Sequence, residues 1–547
     1  MSTASEIRHD GIESQVNSPV SIATNAATDH DTNTNSNTPA KRKPPPPEKP
    51  EDITRRSLVI ASFWLIVLCL GLPIWWKTTA IYRANLPLSQ MMDWADGKAC
   101  NPVIPIRVAI NAPTLRDQET HNLIRLTQQV LDATNDFPGH HLQLQDHLNS
   151  PSRDSNTALT VRLSSGDAAA SSLHPHAPIL EITYPPNAIP SSGAASSDFA
   201  TYLAAQLRET FSEERNIMAY LLATSSMHTD HLLQGHYRDI AQSLSKRMGR
   251  SLKYSRTYHL TFSLFTSGSV PSSWDIESAV EQYMKPMLEM LGPIHNFTID
   301  TQVQLYAAPG VQSQVLTKEE LSSFINAAEW PLSPSIGGAP TVNFVVYIGN
   351  QTIGMDSETE TSRSWLIPQW GSVYLLSPPP TASVPAELLK QPVLTFTSHL
   401  LSLLGTPQSG SLPMRLSMLT RIRSADLFLR ASSSLGSLAR LSLALPSISI
   451  PSSVADGVAK SMHRLQLACA DLGGTDGLEH ARIAEAEAER AFFEKSMVGQ
   501  LYFPDEHKVA VYLPLLGPVG VPLLISLLSQ IKAWRTRRSE KEKTKEA

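Results

Sequence analysis

The sequence is poor in cysteine and carries no excess of basic residues. Its 547 residues include three cysteines, and the formal net charge is −5. Three thiols are too few for the dense disulfide framework of a small secreted scaffold, which excludes that class. The slightly acidic balance lacks the electrostatic footprint of a nucleic-acid-binding protein, so no nucleic-acid partner is expected. The hydrophobic content of 41% is enough for a sizeable packed core.

Familiar catalytic and cofactor-binding motifs are missing too. The sequence contains no G-x-S-x-G nucleophile elbow, Walker loop, G-x-G-x-x-G or H-E-x-x-H. His228, His231 and His236 lie close together on a predicted helix, but no carboxylate or cysteine pattern completes a metal site. Histidines on the polar face of a helix are the simpler interpretation. We therefore predict no catalytic residue, no cofactor and no metal ligand.

Long apolar runs are few, and two of them organise the chain. Ser57–Trp76 and Val509–Ile531 are uncharged runs of 20 and 23 residues. At ~1.5 Å per residue, each can cross a hydrocarbon core of ~30 Å. Arg55 and Arg56 precede the first run and the basic stretch Lys532–Arg538 follows the second, so the positive-inside rule predicts two cytosolic termini. A cleaved signal peptide is the rival interpretation of the first run, but that run starts too late, is too long and lacks a small-residue cleavage site.

These runs predict a fold class and a division of the chain. We expect a mixed α/β lumenal domain between an N-terminal and a C-terminal transmembrane helix. The first segment is polar and has too few apolar residues to fold. The predicted segments are a disordered cytosolic tail (1–54), a first transmembrane helix (57–76), a lumenal mixed α/β domain (78–380), a lumenal mostly helical part (381–507), a second transmembrane helix (509–531) and a basic cytosolic tail (532–547).

The lumenal region alternates between two hydrophobic periods. Alternating apolar and polar residues predict strands, and these are Ile104–Ile110, Leu159–Leu163, Ile179–Tyr184, Tyr258–Leu264, Phe297–Tyr306, Val342–Ile348 and Ser372–Leu376. Apolar stripes at helical spacing predict helices at His121–Thr134, Phe199–Ala223, Ile276–Leu291, Glu319–Ala328 and Leu478–Met497. Thr317 and Glu320 form a capping-box pattern at the start of the fourth helix. From Pro385 onward the pattern favours helices.

The lumenal cysteines leave three possibilities open. Cys69 lies inside the first apolar run, whereas Cys100 and Cys469 lie on the predicted lumenal side, where disulfides persist. The last two can bond to each other, bond to a partner chain, or remain free buried thiols. Connectivity cannot be derived from the sequence.

Short motifs agree with this topology. Asn296-Phe297-Thr298 and Asn350-Gln351-Thr352 are N-glycosylation sequons on the predicted lumenal side, so Asn296 and Asn350 are predicted to carry glycans. The chain ends in KTKEA. Lys543 and Lys545 there are similar to the K-x-K-x-x signal that retrieves membrane proteins to the endoplasmic reticulum, and such a signal acts in the cytosol.

The second apolar run contains a ladder of prolines. Pro514, Pro518 and Pro522 are spaced four residues apart, and Gly517 and Gly520 lie among them. Each proline removes a backbone donor and clashes with the carbonyl four residues earlier, which bends a helix. Glycines let another helix approach closely in lipid. We expect a bent helix whose Pro/Gly region packs against a membrane helix of a partner; the simpler alternative is that proline is merely tolerated there.

Three stretches, in this order, carry a family resemblance. They contain Tyr82-Arg83-Ala84 with Leu86-Pro87 and Ser89; then Pro368, Trp370 and Gly371; and finally Leu501-Tyr502-Phe503-Pro504, Lys508, Pro514, Pro518 and Pro522. Their order and spacing resemble those of the PIG-S family, a subunit of glycosylphosphatidylinositol (GPI) transamidase. The resemblance extends from about Arg55 to about Leu528.

The resemblance implies a role without chemistry of its own. In that family's complex, the catalytic cysteine belongs to the PIG-K subunit, and PIG-S, PIG-T, PIG-U and the GPI-anchor-attachment subunit assemble around it. The expected partners are therefore these subunits and membrane lipid. The expected function is support of GPI attachment to proprotein C-termini in the endoplasmic reticulum membrane. Two alternatives from other classes are a lumenal lipid-modifying enzyme with an unrecognised site and a cargo receptor cycling between endoplasmic reticulum and Golgi.

Overall fold

The computed structural model describes most of the chain in two compact units. The described residues are 49–79, 82–134, 139–147, 157–190, 194–225, 237–325, 338–354, 361–379, 381–446, 448–497 and 505–546. One unit holds the described residues of Met1–Thr78 and Leu515–Ala547, and the other comprises Thr79–Pro514. The second unit includes both the predicted α/β segment and the predicted helical segment.

Helices occur along the whole described chain. They are α1 (Pro50–Ile66), α2 (Leu72–Thr79), α3 (Leu88–Ala95), α4 (Asp117–Thr134), α5 (Asp198–Thr210), α6 (Ser212–Thr224), α7 (Tyr237–Arg250), α8 (Ile276–Tyr283), α9 (Lys285–Met290), α10 (Leu321–Phe324), α11 (Ala386–Leu403), α12 (Leu412–Ala444), α13 (Ser452–Ala470), α14 (Thr475–Phe492) and α15 (Asp505–Glu546).

The strands form two five-stranded sheets and two small ones. They are β1 (Ile104–Asn111), β2 (His140–Asp146), β3 (Thr157–Ser165), β4 (Ala170–Leu173), β5 (Ile179–Tyr184), β6 (Thr257–Thr266), β7 (Ser273–Trp274), β8 (Asn296–Gln304), β9 (Val315–Leu316), β10 (Thr341–Ile348), β11 (Thr352–Gly354), β12 (Thr361–Ser362), β13 (Ser364–Ile367), β14 (Gly371–Leu376) and β15 (Ser383–Val384). The small sheets have the orders β12-β11-β9 and β15-β7.

The two large sheets share one topology. The first has the order β2-β1-β3-β5-β4, and the second β8-β6-β10-β14-β13. In each, four strands are parallel, and the fifth, at one edge, is antiparallel to the strand that follows it in the chain. A helix pair accompanies each sheet, α4 with α5 and α8 with α11. The unit therefore contains the same α/β arrangement twice, at about residues 104–210 and 257–403.

Each sheet is buried by a distinct set of side chains. The first core joins β1, β3 and β5 to α4 and α5, with Val108, Val161 and Phe199 among its buried members. The central strands of the second sheet are covered on both faces. One face, including Phe262 and Phe344, belongs to a large core shared with α8, α11, α12, α13 and α14. The other face packs under α10 and the loops around it. Two covered faces explain why β10 reads as a nearly continuous apolar run.

A helical layer made of α3, α12, α13 and α14 connects the two sheets. Gly436 of α12 lets α3 approach closely, because a Cβ atom there would lie 2.3 Å from the Cβ of Ala95. The Ser461 hydroxyl of α13 donates to the Ala484 carbonyl of α14 at 2.9 Å. Because these helices also contribute to the large core, the helical part and the sheets form one structure.

A covalent link spans nearly the whole unit. Cys100, just before β1, forms a disulfide with Cys469 at the end of α13, with their Cα atoms 6.5 Å apart. Among the three possibilities left open by the sequence, the structure has the intramolecular bond. Cys69 is free and exposed in the segment between α1 and α2.

The mixed α/β prediction is confirmed, and two predicted helices are each divided. The stretch predicted as Phe199–Ala223 breaks at Phe211 into α5 and α6. Phe211 belongs to the first core whereas Ile217 belongs to the large core, so one straight helix could not serve both. The stretch predicted as Ile276–Leu291 breaks before Pro286, which cannot donate to the carbonyl four residues earlier.

The apolar ends of the chain form the long helices of the other unit. Glu51–Ile74 is long and apolar enough to cross a membrane, with a mean hydropathy of 2.4. A second candidate is a bent pair, Ala510–Pro518 and Gly520–Thr536, whose axes differ by 54°. Among the described residues there is thus one candidate span, or two if the bent pair is counted as one span, by length and composition. In the first span, a π-helical turn, Val67–Gly71, precedes Pro73, whose ring disrupts the regular hydrogen-bond ladder.

Candidate functional site

Arg83, from the first of the three family-like stretches, attaches the chain that follows the first apolar helix to the helical layer. Its guanidinium donates to the carbonyls of Ser442, Leu445 and Pro446 at 2.6, 3.1 and 2.8 Å. These carbonyls end α12, where backbone acceptors lack helical partners and the helix dipole favours a cation. The backbone at Arg83 also pairs with Ile450 in an isolated parallel bridge. The residue therefore has a clear positioning role.

The second stretch, around Trp370, forms the turn of the β13–β14 hairpin. Gly371 has φ of 152°, and a Cβ atom there would lie 1.9 Å from the carbonyl oxygen of Asn343 on β10. Only glycine fits such an approach. Gln369, with φ of 58°, donates from its side-chain amide to the Gly249 carbonyl at the end of α7, at 2.6 Å. The third stretch begins at Leu501–Pro504, which lies outside the described residues.

A buried ionic group, not predicted from the sequence, joins the first sheet to the helical layer. Arg421 of α12 donates twice to Glu214 of α6, with both N–O distances 2.7 Å. His140 of β2 places its Nε2 atom 3.3 Å from Glu214, and both of these side chains are fully buried. Burial alone would raise the pKa of Glu214, but the charge and hydrogen bonds of Arg421, together with His140, lower it to about 2. No sequence signal marked this group, because Arg421 is one of five arginines in α12 and its partners lie far away in the chain.

A second perturbed carboxylate lies between α12 and α14. Glu485 is 3.1 Å from Arg430, and its side chain is 11% exposed. Burial raises the pKa of Glu485 to about 7; the charge of Arg430 opposes the rise and that of Glu489 adds to it. Perturbed carboxylates mark functional sites as well as structural ion pairs. Here the group ties two packed helices together.

Two arrangements resemble parts of a hydrolytic site. Thr298 and Asp300 of β8 flank His259 of β6, with Oγ1–Nδ1 and Oδ2–Nε2 distances of 2.7 and 2.8 Å. Thr298 and Asp300 are exposed on an open strand face, so the triad is not held in an enclosed pocket. Ser372 lies 2.6 Å from Nδ1 of His399, but its side chain is fully buried and cannot reach a substrate. The pKa of His399 is lowered by burial. Neither arrangement is a competent nucleophilic site as it stands.

A cavity of about 620 Å³ opens between α3 and α13. Trp94, Met462 and His463 contribute to its wall, together with Asp93 and Lys98. Its size suits a small ligand or a few side chains of a partner. Because Asp93 and Lys98 both line the cavity, its wall carries both signs of charge.

The residues predicted for glycosylation and for retrieval lie in different elements of the structure. Asn296, the first residue of β8, and Asn350, in the turn after β10, are both exposed. Lys543 and Lys545 lie within α15. His228, His231 and His236 lie outside the described residues, and within the described part of the chain no group of three or more His, Cys, Asp or Glu side chains could hold a metal ion. The predicted sites are thus spread over the molecule.

Comparison with known proteins assigns the family. The model of the PIG-S family, described as phosphatidylinositol-glycan biosynthesis class S protein, matches residues 62–537. The chain belongs to the PIG-S family. The match begins within α1 and covers the whole two-sheet unit and most of α15, so Arg83, Trp370 and Gly371 all lie inside it.

Curated PIG-S relatives align along most of their length. The chain is 28% identical to "GPI-anchor transamidase component PIGS" of Bos taurus, over 90% of this chain and 98% of that protein. It is 25% identical to "GPI transamidase component GPI17" of Saccharomyces cerevisiae, over 89% and 94%. It is 27% identical to "GPI transamidase component PIG-S homolog" of Schizosaccharomyces pombe, over 88% and 85%. The resemblance predicted from three short stretches is confirmed.

Proposed function

We propose that this chain is a non-catalytic subunit of a GPI transamidase complex in the endoplasmic reticulum membrane. The observation that carries the proposal is the nearly full-length similarity to proteins named as transamidase components. The proposed partners are PIG-K, PIG-T, PIG-U and the GPI-anchor-attachment subunit, with the catalytic cysteine on PIG-K. Membrane lipid surrounds the two apolar helices.

Positioning is the physical task that suits this architecture. An apolar helix lies at each end of a large folded unit, and Arg83 fixes the chain after the first helix to the helical layer. With both helices spanning the bilayer and both termini cytosolic, the folded unit is confined to the lumenal membrane surface. Confinement raises the effective concentration of partners held in the same membrane. Lys543 and Lys545 would return any escaped protein from the Golgi.

Replacement of the native subunit tests the proposal. The tagged chain is expressed in cells that lack their own PIG-S protein and is purified in mild detergent. We expect the other four subunits to co-purify in stoichiometric amounts and a GPI-anchored reporter to return to the cell surface. A chain that purifies alone, without restoring the reporter, would contradict the assignment.

Two substitutions test whether the chain itself does chemistry. His259→Gln and Ser372→Ala remove the residues that most resemble hydrolytic groups. We expect the transamidation rate of the assembled complex to stay within about twofold of the unmodified complex. Loss of a general base costs roughly 10²–10⁴-fold, so a decrease of that size in a correctly assembled complex would assign the chemistry to this chain.

A further inference from the structure

The two matching sheets differ at their corresponding edges. In the first sheet, β2 is the edge strand next to β1, and the Gln128 side chain of α4 closes that edge. Its amide donates to the Leu142 carbonyl at 2.9 Å and accepts from the Leu144 N–H at 3.0 Å. Gln128 thus satisfies the outward backbone groups in the way a neighbouring strand would.

In the second sheet, the corresponding edge belongs to β8. Asn296 donates its N–H inward to Arg256, so the even-numbered residues of β8 present their backbone groups to β6. The odd-numbered residues Ile299, Thr301 and Val303 therefore present theirs outward. Within the described ranges, no strand and no side chain bonds to these outward groups.

β8 also lacks the features that usually protect an edge. It is nine residues long, contains no Lys, Pro or Gly, and pairs with β6 without a bulge. Its single charged residue, Asp300, is paired with His259. An unprotected edge of this length is a template for another strand.

The side chains of β8 define two different faces. Ile299 and Val303, on the same face as the large core, are 42% and 37% exposed. The opposite face is polar and carries Thr298 and Asp300. Just beyond the strand, Tyr306 has φ of 56° and is 71% exposed. A non-glycine residue held in that conformation with an exposed aromatic ring is a frequent feature of binding sites.

We propose that the outer edge of β8 docks an extended strand from another polypeptide chain. The docked strand has alternating apolar and polar residues. Its apolar side chains cover Ile299 and Val303, and a Lys or Arg on its polar face lies opposite Asp300. The inference rests on the proposed function, in that the strand comes from another component of the complex. It names the surface and the kind of segment that this surface accepts.

Amide hydrogen exchange tests the proposal at single-residue resolution. The full chain in detergent is compared with the purified complex. In the chain alone, the amides of Ile299, Thr301 and Val303 exchange as unbonded groups. In the complex, we expect their exchange to slow by about tenfold or more, the effect of gaining a hydrogen bond. The inward amide of Asp300 should change little and serves as the internal reference.

Substitutions of the edge provide the second test. Ile299→Lys with Val303→Lys introduces the charges that natural proteins use to block edges. Thr301→Pro removes one outward donor and should be tolerated, because proline suits an edge position whose N–H faces solvent. Val315→Lys makes the same apolar-to-Lys change at an exposed position of β9, outside the second sheet, and is the matched control. We expect the first two variants to fold, as judged by an unchanged melting temperature, and to lose one component on purification, whereas the control keeps it.

The outcomes separate this inference from the proposed function. If the complex assembles but the three outward amides exchange as in the isolated chain, or if both edge variants assemble like the control, the docking edge is refuted and the subunit assignment stands. If no other component co-purifies with the unmodified chain, the subunit assignment fails first. Photo-crosslinking from position 303 that yields only a second copy of this chain, or a helical segment of another protein, also overturns the inference.

Discussion

Glu214 and Arg421 lie 207 positions apart and form a fully desolvated ion pair. Breaking such a pair leaves an uncompensated buried charge, which costs more than the pair itself contributes. We expect Glu214→Gln to lower the free energy of unfolding by about 3–5 kcal/mol. Glu181→Gln, which removes the exposed partner of Arg162, should cost less than about 1 kcal/mol. Denaturant unfolding in detergent distinguishes them, and equal effects would contradict the assigned role.

The same carboxylate predicts a pH dependence. Its folded-state pKa is lowered from 4.5 to about 2, so its stabilising contribution is fully present above about pH 4.5. That contribution is lost as the pH falls from about 4.5 towards about 2. The Glu214→Gln variant should therefore show a smaller loss of stability than the unmodified chain between these two pH values.

The exposed sequons predict two glycans. Asn296 and Asn350 are both accessible, and each lies at the end of a strand rather than within a covered face. Endoglycosidase treatment should increase gel mobility, and Asn296→Gln and Asn350→Gln should each remove one step. Mobility that never changes would argue against glycosylation and against a lumenal location.

At the scale of elements, the spacing of apolar residues predicted the buried strands correctly. A strand with a polar, partly exposed half was missed. The strand with alternating residues from Ile104 to Ile110 and the apolar strand from Val342 to Ile348 were both predicted, because burial imposes their patterns. β2 was missed because its outer half is polar and partly exposed, and its edge is completed by Gln128 from α4. No local pattern reveals such a long-range partner.

Candidate sites that depend on long-range contacts could likewise not be predicted from the sequence. The sequons and family-like stretches are local in sequence, so they could be found without a structure. The docking edge of β8 is different, because it is defined by the absence of a neighbour within the described residues and by a comparison with the other sheet. The repeated topology was not predicted either, because strand order depends on long-range pairing and not on a local pattern.

The bent terminal helix leads to a prediction about assembly. Pro514, Pro518 and Pro522 leave carbonyls without helical donors around the 54° bend, and such groups need partners in lipid. We propose that Gly517 and Gly520 bring a membrane helix of another subunit close to this region. Replacing the three prolines with Leu should allow insertion but weaken co-purification and GPI attachment.

A proline in the first apolar helix supplies the control for that triple variant. Pro73→Leu makes the same chemical change near the π-helical turn, outside the ladder. We expect this variant to assemble normally. Should the triple variant assemble and function like the unmodified chain, the ladder is incidental.

At the scale of the whole molecule, the topology can be tested directly. In sequence, basic residues precede the first apolar helix and follow the second. Protease added to sealed microsomes should trim the two tails and leave the region of about residues 78–507 intact. Digestion of that region before detergent is added would rule out two cytosolic termini.

The disulfide has a consequence for synthesis at the ribosome. Cys100 and Cys469 are separated by 369 residues. At translation rates of about 5–20 residues per second, Cys469 emerges roughly 20–70 s after Cys100. In the proposed lumenal location, Cys100 stays an unpaired thiol throughout that interval, and Arg83 lacks its acceptors at the end of α12. We expect the nascent chain to need chaperones and thiol oxidoreductases until the segment that carries Cys469 has emerged.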